Sequence, residues 1–358
     1  MVVMEKHVGP SDRVDRYFRE ILARTDHGER LPSVRQAMRE CRVSRVIVDR
    51  ALARFQGEGL IETRERSGLY RTGGIHNGRR VVDLLYFGFL GCLDPGSFHN
   101  DYFSTLTVAL AERSQSLRMR VMLKDPDPKG YVSGLVRERP GQLIVCEANV
   151  DSLGLVEKLK EAGIRYLHLF PNMIEPISPS LVVDDEDILR HQLGHLRELG
   201  HRRVGFFHAV NPKHFARPIW LRKLLFYQMA CEHGLEVRPE WVRCAGWQAE
   251  GVRSEVRAVM GGADRPTGLV IYDNHVNPVY SELRAMGLEP GRDVSVVGTD
   301  DLPHASHVDP GLTTVQVSRT TAAAATLEMM DALEAGKEPG IQRLKTKLIV
   351  RGSTGKAQ

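Results

Sequence analysis

The 358-residue sequence lacks any run of about eighteen consecutive apolar residues, so no membrane-spanning helix is expected. Its first 25 residues lack the basic start, apolar stretch and small-residue cleavage site of an export signal, which points to a cytoplasmic protein. Cysteine is scarce: Cys41, Cys92, Cys146, Cys231 and Cys244 are odd in number and form no CxxC, which excludes a disulfide frame and a cysteine zinc site. All five read as packing residues. Catalytic signatures are missing too. There is no P-loop, no GxSxG, no HExxH and no Rossmann glycine fingerprint, since Gly73-Gly74-Ile75-His76-Asn77-Gly78 follows no suitable strand. His191 and His195 stand four apart, a metal-compatible spacing, but no Glu follows His191 and no third ligand joins them. Neither metal nor cofactor is expected, and no enzyme.

What is present is ordinary globular material, 42 % hydrophobic and 26 % charged, long enough for two or three cores. Charge is unevenly spread. Residues 1–80 carry 17 Lys+Arg against 11 Asp+Glu, whereas the remainder carries 32 against 34. The basic end is almost all arginine, whose planar fork suits phosphates and base edges.

Apolar residues at Val14, Tyr17, Phe18, Ile21 and Leu22 recur at three- and four-residue spacing, which predicts a helix from Ser11, read as its N-cap, to about Arg24. Pro32-Ser33 opens a second helix to about Cys41. After the turn Arg42-Val43, Ser44 opens a third, with Val48, Leu52 and Phe55 inward and Gly57 and Gly59 ending it. Leu60 to Thr72 alternates and turns at Ser67-Gly68, as a small hairpin does. The glycine-rich stretch that follows reads as a linker. Beyond it, strand-like runs such as VVDLLYFGFL, QLIVCE, RRVGFFHA, GLVIY and VSVVG alternate with helical stretches, predicting an α/β fold of parallel sheets with crossover helices. Their number predicts two doubly wound lobes facing each other across a cleft.

The segment LPSVRQAMRECRVSRVIVDRALARFQGEGLIETRERSGLY resembles the winged helix-turn-helix head of the GntR family. That resemblance implies that Arg35 and Arg45 contact bases or phosphates and that the wing tip Arg66-Ser67-Gly68 lies along the backbone or minor groove. A recognition helix starting at Ser44 also turns its first N–H groups and positive dipole end toward a phosphate, with Arg45, Val46 and Arg50 leaving it near the groove. The sequence departs from the family at Val46, Asp49 and Arg66. Val46 suits a thymine methyl, and Asp49 is placed to orient Arg45.

VVDDEDILRHQLGHLRELGHRRVGFFHA and GLEPGRDVSVVGTDDL resemble the effector-binding half of the LacI/GalR type, itself similar to periplasmic sugar-binding proteins. Within the first phrase, the acidic group Asp184 to Asp187 caps a helix that Gly200 ends. The resemblance implies ligand roles for the aromatic pair Tyr102 and Phe103, the hydroxyl-clamping Arg222, the stacking Trp247, the Asp273-Asn274 pair and Asp300 at a strand's C-terminal end. Phe170 stands where sugar binders often have an aspartate, and Leu225 where a glycine is usual. Glu147 and Asn172 at strand ends are further polar candidates.

The expected organisation is a winged helix-turn-helix at 1–72, a linker at 73–80 and a two-lobed receptor at 81–358. Its lobes are read as 81–178 with 307–320, and 179–306 with 321–358. The expected function is repression of transcription, with a homodimer on a near-palindromic operator and a small, sugar-like effector between the lobes. Two alternatives stand beside it: a receptor for a nucleobase or another metabolite, and a GntR head fused to an enzyme.

Overall fold

The computed structural model describes residues 9–22, 24–25, 29–57, 60–64, 67–71, 75–76, 79–122, 128–138, 140–173, 176–208 and 217–358. The chain divides into two compact units: Met1–Phe87 with Thr107–His168 and Met329–Glu338, and Gly88–Leu106 with Leu169–Glu328 and Pro339–Gln358.

The first unit opens with three helices, α1 (Pro10–Leu22), α2 (Val34–Cys41) and α3 (Arg45–Gly57), and a hairpin of β1 (Ile61–Arg64) and β2 (Gly68–Arg71). Helix α1 begins one residue before the expected cap at Ser11. Pro10 fits a first helical position, where no N–H is needed, and the Gly9 carbonyl takes the N–H of Arg13 at 3.1 Å. Ser33 caps α2 by accepting from the Gln36 N–H at 3.3 Å, and Arg42, left-handed at φ 51°, ends it. The Ser44 carbonyl receives the N–H groups of Ile47 and Val48, which starts α3. Val14, Phe18, Ala37, Val48, Leu52, Phe55, Ile61 and Leu69 close over one small core. The hairpin pairs Ile61 with Arg71 and Arg64 with Gly68, whose φ of 114° is open to glycine and costly to other residues.

Next come β3 (Ile75–His76) and β4 (Arg79–Tyr86), paired antiparallel within the stretch read as a linker. Then follow α4 (Phe98–Glu112), β5 (Gln115–Val121), α5 (Pro128–Glu138), β6 (Gln142–Cys146), α6 (Leu153–Glu161) and β7 (Leu167–Leu169). Strand β4 pairs in parallel with both β5 and β6. Leu85 and Val145 pack against Val132 and Leu135 of α5 and Val156 and Leu159 of α6. Asp83, buried in the middle of β4, is answered by Arg118 through two hydrogen bonds of 2.6 and 2.9 Å.

The chain continues with β8 (Ser180–Val183), α7 (Asp185–Glu198), β9 (Val204–His208), α8 (Arg217–Glu232), β10 (Val242–Cys244), α9 (Ala249–Met260), β11 (Gly268–Val270) and α10 (Val276–Ala285). It ends with β12 (Ser295–Asp300), β13 (Thr313–Gln316), α11 (Arg319–Glu334), β14 (Ile341–Leu344) and β15 (Lys347–Ile349). In the second unit the sheet order is β10-β9-β11-β12-β13-β15, parallel except for β15, and β14 lies parallel to β8. Alternation splits this sheet between two helical layers. Phe206, Val270 and Val297 join Leu193 of α7 and Phe226 of α8, while Phe207, Leu269, Ile271 and Val296 join Val256 of α9 and Val279 of α10. Segment 307–320, expected with the first lobe, contains β13, which pairs with β12. The fold is thus α/β, with mainly parallel sheets behind a winged helix-turn-helix head. Among the described residues no helix is long and apolar enough to cross a membrane.

Candidate functional site

Two surfaces collect the residues that the sequence singles out. On the head, α3 turns Val48, Leu52 and Phe55 inward and leaves Ser44, Arg45, Val46, Asp49 and Arg50 exposed, with Val46 at 64 %. Arg45 Nε donates to Asp49 Oδ2 at 3.2 Å across one helical turn, so the carboxylate sets the direction of the guanidinium. Arg35 is exposed on α2. At the wing, the Ser67 hydroxyl lies 2.6 Å from the Tyr70 hydroxyl, and the Arg64 guanidinium sits 4.2 Å from the Tyr70 ring centroid. Gly68 is at the turn, and Arg66 lies outside the described residues.

The second surface lies in the second unit, at the C-terminal ends of β9, β11 and β12, where open α/β sheets hold ligands. Arg222 of α8 donates through Nε to Asp185 Oδ1 at 2.6 Å, with both side chains almost wholly buried. Its guanidinium carbon is 5.5 Å from the centroid of the Tyr272 ring. Burial alone would favour loss of the proton, but Tyr272, Asp185 and Asp300 outweigh it and hold Arg222 charged. Trp247 is 42 % exposed, with its ring 6.0 Å from Tyr272 and 5.7 Å from His275. His275 bonds the Gly246 carbonyl at 2.8 Å, which fixes the loop that carries Trp247. Burial pulls His275 and His208 down to about 4, with Lys223 and His275 adding to the effect at His208, so both rings are neutral at pH 7.

Two strand ends are tightly turned. Asp300 (φ 96°) and Asp301 (φ 50°) at the end of β12, and Phe170 (φ 48°) after β7 of the other sheet, occupy the left-handed region without being glycine. Arg319 donates to the Asp300 carbonyl and, at 3.1 Å, to the Val317 carbonyl, and its guanidinium lies 5.1 Å from the Phe98 ring centroid. Phe98 in turn meets Phe170 edge-on at 5.5 Å, and Tyr102 meets Phe170 at 5.1 Å.

The sequence-derived residues therefore fall into three sets. Arg222, Trp247 and Asp300 gather around Tyr272. Tyr102, Phe103 and Phe170 form a buried aromatic group, and the Tyr102 hydroxyl is spent on Thr326 Oγ1 at 2.7 Å. Asp273 faces inward: its carboxylate accepts from the Leu302 N–H at 2.9 Å and the Thr314 hydroxyl at 2.8 Å, leaving Asn274 exposed beside it. Burial first, then Asp300, pushes Asp273 up to about 8. A β-carbon on Gly298 would stand 2.0 Å from Asp273 Oδ1, so glycine is required there. The sequence does not single out Tyr272, His275 or Phe98, and it marks Asp185 only as part of a helix cap. Phe98 carried a signal, four residues before Tyr102 on the same helical face.

Two stretches of the chain match known family models. Residues 15–70 match "Bacterial regulatory proteins, gntR family", and residues 193–354 match "Periplasmic binding protein-like domain". The arabinose metabolism transcriptional repressor of Geobacillus stearothermophilus is 24 % identical over 348 residues, spanning 91 % of this chain and 92 % of its own. Among solved structures, the transcriptional regulator CelR in complex with cellobiose superposes with a TM-score of 0.66 at 22 % identity, covering 87 % of this chain and 91 % of that one. A Lac repressor dimer bound to operator and the anti-inducer ONPF reaches 0.65 at 18 % identity, covering 78 % of this chain and 95 % of its own.

Proposed function

We propose that this chain, with its GntR-type head and periplasmic-binding-protein-like body, is a transcription regulator, and that it is a repressor whose grip on a near-palindromic operator is set by a small sugar-like effector. It acts as a homodimer in the cytoplasm, with the head in 1–72, the linker in 73–80 and the receptor in 81–358. Arg35, Ser44, Arg45, Val46 and Arg50, with Ser67, Gly68 and Arg66 of the wing, form the DNA face. One observation carries the effector reading: exposed Trp247 lies tilted beside Tyr272, next to a buried, charged Arg222 and the strand-end Asp300. An aromatic plate answers the apolar face of a sugar ring, and charged planar donors and carboxylates answer its hydroxyls. A coupling of about 1–3 kcal/mol between the two sites changes operator affinity roughly 5- to 150-fold.

A thermal-shift screen of mono- and disaccharides against purine bases and nucleosides tests the proposal. A saccharide that raises the melting temperature and changes operator affinity in a gel-shift supports it. Stabilisation by purines alone replaces the sugar with a nucleobase, and failure to bind any duplex from the neighbouring genome removes the repressor reading altogether.

A further inference from the structure

At the opposite ends of the second unit's strands, just ahead of β9, β11 and β12, lies a cavity of about 210 Å³ lined by Arg203, Arg265, Arg292 and Lys356 together with Thr267 and Asp293. Four cations thus surround one carboxylate. That carboxylate is already engaged, since Asp293 takes Arg292 at 2.8 and 3.2 Å and the Glu289 N–H at 2.8 Å. Arg203, Arg265 and Lys356 form no close ion pair among the described residues, and Arg265 acts on Asp293 through longer-range attraction. Unpaired cations converging on one cavity repel one another, and that repulsion is relieved when an anion enters.

General basicity does not account for the cluster, because residues 81–358 carry 32 Lys+Arg against 34 Asp+Glu. Its frame is rigid. The Arg203 carbonyl takes the N–H groups of Thr267 and Gly268 at 3.0 and 3.2 Å, and Thr267 Oγ1 lies 2.9 Å from His201 Nδ1. The backbone at Arg203 and Thr267 is therefore fixed by strand-to-strand bonds. The volume is equal to about seven water molecules at roughly 30 Å³ each, which is room for a phosphate group and part of its hydration.

We propose that this cavity is a second ligand site, for a phosphate-type dianion, with Arg203, Arg265 and Lys356 as its cationic donors. The source is either free inorganic phosphate or the phosphomonoester of a small metabolite. Strands β9 and β12 run from this cavity to His208 and Asp300, so an anion here acts on the same sheet that carries the effector residues.

The test is calorimetric titration of the full chain with inorganic phosphate and with glycerol 3-phosphate, against sodium chloride at matched ionic strength. Saturable binding at one site per chain is expected, weakened at least about tenfold in Arg265→Ser/Lys356→Ala and tightened in Asp293→Asn. Tighter binding of glycerol 3-phosphate than of phosphate identifies the phosphomonoester as the source, and the reverse identifies free phosphate. The melting temperature of each variant in chloride alone verifies folding. Heats that chloride reproduces, or phosphate affinity equal in the wild type and in both variants, overturn the proposal.

Discussion

Arg222 and Asp185 form a buried ion pair with Nε and Oδ1 2.6 Å apart, joining the start of α7 to α8 immediately beneath the Tyr272 ring. Removing one partner takes away the opposite charge that the other is buried against. Arg222→Ala is expected to lower stability by about 3–5 kcal/mol in chemical denaturation. The double variant Arg222→Met/Asp185→Leu should regain most of that stability while still failing to answer any effector. Recovery of the effector response in the double variant shows that Arg222 serves packing alone.

Arg45→Ala should abolish specific operator binding at physiological salt while leaving effector-induced thermal shifts unchanged. Asp49→Ala releases Arg45 from its 3.2 Å partner and removes a negative charge from the exposed face of α3, so it should tighten DNA binding with little discrimination among sequences. Gel-shifts over a salt series separate the two effects.

Trp247 is the exposed ring of the receptor surface, and Trp247→Ala should weaken effector binding about tenfold, corresponding to roughly 1.4 kcal/mol, whereas Trp247→Phe retains most of it. Effector added to the wild type should also change tryptophan emission. An unaltered affinity in the alanine variant moves the site away from the ends of β10 and β11.

Asp273 has its pKa raised from 3.8 to about 8 in the folded chain, so between those values the native state holds a proton that the unfolded state has lost. Stability contributed by this group therefore falls as pH rises from about 4 to about 8, by at most about 1.4 kcal/mol per pH unit. Asp273→Asn, which imitates the protonated acid, should flatten the pH dependence of the melting temperature across that range. The histidines that burial pulls down to about 4, His168, His208 and His275, act oppositely, and their contribution is lost as pH falls from 6.5 toward 4.

Much of the head was legible because its information is local. The apolar spacing of α1, the cap at Ser33 and the turn at Ser67-Gly68 each depend on neighbours within a few residues. Both boundaries of α1 shift slightly: it starts at Pro10 instead of Ser11, since either residue can open the helix, and it ends at Leu22, short of Arg24. In the receptor the decisive partners are distant. Tyr102 finds Thr326, 224 residues on, and nothing near either residue announces that pairing. The acidic run 184–187 reads as a helix cap, yet only Asp184 caps, accepting from the Asp187 N–H at 3.1 Å. Asp185 goes to Arg222 and Asp187 to Thr346, bonds that depend on how α7 packs.

The lock between Gly298 and Asp273 has a consequence for how ligand preference changes over time. The aspartate is committed to the Leu302 amide and the Thr314 hydroxyl, and it fills the space that a side chain at 298 would need. Selectivity is free to drift at Asn274 and Trp247, whose side chains reach solvent, without disturbing the scaffold behind them. Under the proposed function, a change of effector would need exchanges only at these two surface residues and would leave the hidden acid in place.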